Sequence, residues 1–228
     1  GWAPNDSANN NKVTMTGGQV YAVYGGKAGD SGNATGNIVT MNGGIVADHV
    51  YSGYAANGNA NGNTIEMTGG IAAEVECGGT NDGNANDNMV VVSGGTVTGY
   101  VFSGYTANGN ANGNTIEMTG GVAAGVQGGT ASVGNANDNV VIFSGGTLEE
   151  IDGGVSFDQG EASGNRVVMS GGTVTYCVYS GYAVNGNATG NAVDMTGGEV
   201  RGDVYGGYVD TSGNATGNTV TMTDGQVG

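Results

Sequence analysis

The chain reads as an all-β protein, a single-chain β-solenoid of parallel stacked strands. Three observations predict this: a repeat of about 26 residues, two-residue alternation inside the repeat, and glycine pairs at fixed places within it. Asn11, Asn37, Asn63, Asn88, Asn114, Asn139, Asn165, Asn191 and Asn218 each open a phrase like Asn-Thr-Val-Thr-Met-Thr-Gly-Gly. The spacings between them are 26, 26, 25, 26, 25, 26, 26 and 27 residues. A chain repeating at that period buries its apolar face by laying each copy on the next. About eight and a half coils are expected: a partial coil over 1–10, full coils over 11–36, 37–62, 63–87, 88–113, 114–138, 139–164, 165–190 and 191–217, and a partial coil over 218–228.

Within a coil, the third and fifth positions are apolar in every copy, from Val13/Met15 and Val39/Met41 to Val220/Met222, while their neighbours vary. That alternation describes a short strand with one buried face. A glycine pair follows and turns the chain, since glycine enters positive φ without steric cost. A second strand should point Val20, Val46, Val97, Leu148, Val174 and Val200 inward. A second glycine-bearing corner, such as Gly25-Gly26 or Ser52-Gly53, should end it. An Asn/Gly/Ala-rich third side returns to the next asparagine. With coils ~4.8 Å apart the rod is roughly 40 Å long. Equivalent residues then form columns, and the nine opening asparagines are predicted to form an amide ladder.

Composition narrows the function. The 228 residues hold 50 glycines and one proline, and four basic residues stand against twenty acidic ones, for a net charge of -16. Such a chain repels phosphate backbones and anionic lipid, so nucleic acid is excluded as a partner. No stretch approaches the ~20 apolar residues of a spanning helix, so direct membrane insertion of this segment is not expected. Both ends cut through a coil without a polar capping unit, which suggests a window of a longer array or units that abut end to end.

The phrases Val-Thr-Met-Thr-Gly-Gly, Val-Tyr-Gly-Gly and Gly-Asn-Ala-Thr-Gly-Asn run through the whole chain. In these the sequence resembles the β-helical passenger domains of large bacterial autotransporters (type V secretion). The resemblance implies a stalk displayed outside the cell, at the bacterial surface, and commonly adhesive toward a host-surface or matrix glycan or protein.

Chemistry is sparse beside that scaffold. Carboxylates concentrate at Glu74, Glu76, Asp82 and Asp87, and at Glu149, Glu150, Asp152, Asp158 and Glu161. Calcium wants six to eight oxygens, and Glu149, Glu150 and Asp152 are the weak candidates to supply some. The Gly-Gly-x-Gly-x-Asp spacing of calcium-binding β-rolls is missing, so no cofactor is expected. Glu66 and Glu117 share one outward column, but both lie in a duplicated phrase, and the single histidine, His49, cannot build a triad. Cys77 and Cys177 lie four coils apart, too far for a disulfide, and read as packed hydrophobes. Trp2, Tyr54, Tyr105, Tyr182 and Tyr208 follow the second glycine pair at repeat spacing, with Tyr51, Phe102, Tyr179 and Tyr205 just before it. They form a candidate binding strip. The expected role is therefore a non-enzymatic extracellular structural or adhesive module. The alternatives are a filament subunit self-associating end to end, and a polysaccharide-binding or polysaccharide-degrading β-helix.

Overall fold

The computed structural model describes residues 1–228 and contains strands but no helix. It is a β-solenoid: each strand pairs in parallel with its counterpart one coil on. The short strands after each ladder asparagine, from Lys12–Met15 and Ile38–Met41 to Thr219–Val227, make a ten-stranded sheet. The longer strands, from Trp2–Ala3 and Val23–Ala28 through Ile45–Ala55 to Val204–Val209, make an eleven-stranded sheet. The third side is irregular except where Ala188–Thr189 pairs with Ala215–Thr216.

Register follows from the alternation. Val39, Ile65, Val90 and Ile116 stack in one inward column, and Met41, Met67, Val92 and Met118 in the next. A one-residue slip would turn every such side chain to solvent. These columns, with those of Val46 and Val50, join into one cluster of 30 buried residues. Val20, Val220 and Met222 stand in terminal coils and are 41%, 49% and 46% exposed, because no further coil covers them. The third side packs differently. Ala8, Ala34, Ala60, Ala85, Ala111, Ala136, Ala162 and Ala188 are all buried there, and some touch alanines of the long sheet such as Ala28, Ala55 and Ala183. Only a methyl fits, so this half of the coil is thin.

Between the halves runs the asparagine column. Each Nδ2 from Asn11 to Asn191 donates to Oδ1 of the asparagine one coil on, at 2.9–3.0 Å. That Oδ1 also accepts the backbone N–H of the same preceding residue. In Asn37, Asn63, Asn88, Asn165 and Asn191 the remaining amide hydrogen goes to an alanine carbonyl of the third side at 2.8–2.9 Å. Every donor and acceptor of these amides is thereby used.

The second glycine pair corrects the expectation of a corner. The strands Val23–Ala28, Ile45–Ala55 and Tyr100–Asn108 run through it, and Gly26, Gly53 and Gly104 are absent from the positive-φ positions. Their glycine serves close approach instead. A Cβ on Gly104 would sit 2.5 Å from the Ala85 oxygen and 2.6 Å from Nδ2 of Asn114. The first pair is a true turn, with its second glycine at φ values such as 94° at Gly44 and 96° at Gly95. Another turn precedes each ladder asparagine, where Asn10, Asp87 and Asp138 replace glycine at φ of 56–57°. Asparagine and aspartate tolerate that left-handed region.

Candidate functional site

The long sheet turns two consecutive residues inward at the glycine pair, and this builds its outer face. Along Ile45–Ala55, Val50, Ser52, Gly53 and Ala55 are buried while Tyr51 and Tyr54 are half-buried and face out. Alternation thus slips by one, and residues three apart in sequence become neighbours on the same face. The ring centroids of Tyr51 and Tyr54 are 5.3 Å apart, those of Phe102 and Tyr105 5.7 Å, Tyr179 and Tyr182 5.6 Å, and Tyr205 and Tyr208 5.3 Å.

Parallel pairing then stacks these pairs. One outward column runs Tyr24, Tyr51, Glu76, Phe102, Gln127, Asp152, Tyr179, Tyr205. The next runs Trp2, Lys27, Tyr54, Gly79, Tyr105, Thr130, Val155, Tyr182, Tyr208. Trp2, Tyr54, Tyr105, Tyr182 and Tyr208 therefore share a column, though Lys27, Gly79, Thr130 and Val155 interrupt it. Adjacent coils stack ring on ring where both are aromatic: Tyr24 on Tyr51 and Tyr179 on Tyr205 at 5.1 Å, and Tyr182 on Tyr208 at 5.5 Å. Lys27 Nζ lies 4.6 Å from the Tyr24 ring centroid. His49 stacks on Tyr51 at 5.0 Å and contacts Glu74 at 2.7 Å and Asp48 at 2.9 Å.

The face consists of aromatic islands separated by two acidic breaks. At the first, Glu76 is 7% exposed and folds over Gly79, where any Cβ would overlap its carboxyl. Burial, and then the charge of Glu74, pushes Glu76 up to about 8, and no hydrogen-bond donor pulls it back. At the second, Glu150 and Asp152 enter one cavity of about 300 Å³ with Gln127, Tyr176, Tyr179 and Tyr182. Gln127 Nε2 donates to Asp152 Oδ2 at 2.9 Å, and Thr130 donates to Gln127 at 2.6 Å. Tyr100 reaches across Gly125, in the one coil between them, and donates to Glu150 Oε2 at 3.4 Å.

Electrostatics follow from that enclosure. Asp152 is 4% exposed, and burial raises its carboxyl well above the usual range, with Glu150 adding to it and the Gln127 amide opposing. Burial also raises Glu150, while the Tyr100 hydroxyl lowers it. Tyr100 itself is pushed up to about 12 by burial, then by Glu150. Of the three weak metal candidates, Glu149 is exposed, Glu150 half-buried and Asp152 buried, and no group of three His, Cys, Asp or Glu converges to hold an ion. Cys77 and Cys177 are buried free thiols. Cys77 stands in the inward column of Ser52 and Ser103, and its Sγ contacts the Met89 carbonyl at 3.3 Å. Glu66 and Glu117 face outward on the short-strand sheet with Val91 between them.

The sequence places Glu76 only in an acidic cluster and does not single out Tyr100, Gln127 or Tyr176. The available signal was a polar residue at a column position that other copies fill with an aromatic ring. No helix is long and apolar enough to cross a membrane. Compared with protein-family models, with curated proteins and with solved structures, the chain has no match.

Proposed function

We propose that this chain is a non-enzymatic adhesive segment of an exported bacterial surface protein, a rigid stalk whose long-sheet outer face carries the binding groups. The observation behind this reading is the division of labour in the coil. Asparagine, alanine, valine and methionine columns are consumed in holding the rod, whereas paired aromatics at coil spacing project outward with no packing partner beyond the face. Exposed aromatic clusters on a rigid support are suited to docking a partner at small entropic cost. The resemblance to autotransporter passenger domains supports export and an extracellular location. The test is binding of the purified chain to host cells and matrix components. Replacing Tyr54, Tyr105 and Tyr182 together by alanine should abolish binding and leave the far-ultraviolet circular dichroism unchanged. Full binding by the folded triple variant would reject the strip.

A second reading, polysaccharide binding or cleavage, is favoured by the Glu150/Asp152 pair in an aromatic-walled cavity. Release of reducing ends from a polysaccharide, lost in Asp152→Asn, would establish it over the first.

A further inference from the structure

We propose that the cavity around Glu150 and Asp152 is a recognition site for one organic cation, the ammonium or guanidinium end of a lysine or arginine on a basic protein partner. The proposal rests on the adhesive reading and names its ligand chemistry.

The cavity exists because one ring is missing. Val155 pairs with Tyr182 on the next coil and occupies the column position that Tyr54, Tyr105, Tyr182 and Tyr208 fill elsewhere. Into that gap the chain directs two carboxyl groups, each held on one oxygen only. Gln127 takes Oδ2 of Asp152 and Tyr100 takes Oε2 of Glu150, which leaves Oδ1 and Oε1 without a donor from the protein. No fully buried side-chain nitrogen or oxygen lacks a partner, so the free oxygen of the buried Asp152 opens toward the cavity it lines.

Nothing in the chain supplies the missing charge. Arg166 pairs with Asp194 at 2.7 Å, Arg201 with Glu199 at 3.0 Å, Lys27 rests on Tyr24, and Lys12 lies in the first short strand, far along the rod. The walls, Tyr176, Tyr179, Tyr182 and Phe157, offer ring faces, which attract an organic cation as well as its alkyl stem. A volume of about 300 Å³ accommodates one such side chain. A calcium ion would need six to eight oxygens, more than two carboxyls and one amide provide. A neutral sugar could use the same oxygens, but a chain with net charge -16 draws in basic partners at long range.

The test is titration calorimetry of the full chain with Nα-acetyl-lysine methylamide, its glutamine counterpart as a neutral probe, calcium chloride, and a neutral oligosaccharide. The lysine probe should bind saturably and about tenfold or more tighter than the glutamine probe. Asp152→Asn should weaken it about tenfold or more, since a bound cation favours the ionised carboxyl that burial alone disfavours, and asparagine has no ionised form to pair with it. Val155→Tyr is the independent variant: it leaves both carboxyls in place, inserts the residue four equivalent positions already hold, and should abolish binding by filling the space. Tyr179→Leu should cost about threefold. Absence of lysine-probe binding, equal affinity for the glutamine probe, indifference to Val155→Tyr, or displacement by calcium or the oligosaccharide would overturn the proposal. Adhesion to cells without lysine-probe binding would remove this site and leave the adhesive reading intact. Lysine-probe binding without adhesion would do the reverse.

Discussion

The asparagine column inside the rod and the aromatic columns outside it climb the same coils, yet the first is unbroken from Asn11 to Asn218 while the aromatic columns are interrupted, one at Glu76 and at Gln127 and Asp152, the other at Lys27, Gly79, Thr130 and Val155. Inside, each amide bonds to the coil before it and the coil after it, so a different residue at one level takes partners from both neighbouring coils. Outside, a side chain needs only to tolerate its neighbours, and Glu76 or Asp152 can stand where Tyr51 or Tyr179 stands elsewhere. Uniformity marks what the scaffold requires, and interruption marks where the molecule is free to acquire chemistry.

The largest expected effect comes from breaking the inner column. Asn88→Ala strands the backbone N–H and amide of Asn63 and the Ala60 carbonyl, and leaves Oδ1 of Asn114 with the backbone N–H of residue 88 alone. It should cost at least about 3 kcal/mol in urea unfolding, because each buried unpaired polar group carries its own desolvation penalty. A loss under about 1 kcal/mol would mean that the ladder is incidental.

Next comes the glycine that makes room for it. Gly104→Ala should cost about 2–4 kcal/mol, since the new methyl meets backbone and an already committed amide. Gly17, where a Cβ meets nothing within 4 Å, is the control and should accept alanine with a change below about 1 kcal/mol. Equal effects at the two sites would show that chain flexibility, not space, selects glycine at Gly104.

The outer breaks should register in pH dependence. Glu76 titrates near 8 in the folded chain and near 4.3 when unfolded, so the folded state holds the extra proton between those values. Its penalty is absent below about pH 4 and grows as pH rises to about 8, reaching a few kcal/mol at most. Glu76→Gln should therefore flatten the fall in stability over that window and raise the melting temperature at pH 8.5 relative to pH 4. Parallel stability profiles for both proteins would place Glu76 in water. The smallest effect belongs to the aromatic islands: Tyr182→Ala removes ring contacts to Tyr179 and Tyr208 and should cost about 1–2 kcal/mol by thermal melt.

Much of the scaffold was legible because stacking turns sequence period into spatial neighbourhood. Val39 lies over Val13 because it follows by one repeat, and the same arithmetic places each asparagine on the next. The role of the second glycine pair was not legible, because Gly-Gly is written identically for a turn and for close approach. Gly44 is the first kind and Gly53 the second. The cavity was hidden for another reason. Tyr100, Gln127, Asp152 and Tyr179 come from four successive coils and meet only through register. The dense acidic stretch at Glu149, Glu150 and Asp152 marked the coil, but linear proximity conceals that the three differ in exposure.

The most direct test of the stacked, in-register coil is a pair of spin-label distances along one outward column, measured in a Cys77→Ser, Cys177→Ala background. Labels at positions 40 and 142 lie four coils apart, and labels at 40 and 194 six apart. The account predicts narrow distributions with backbone separations near ~19 Å and ~29 Å, rising by ~4.8 Å per coil. Broad distributions, or distances that do not grow with the number of intervening coils, would contradict it.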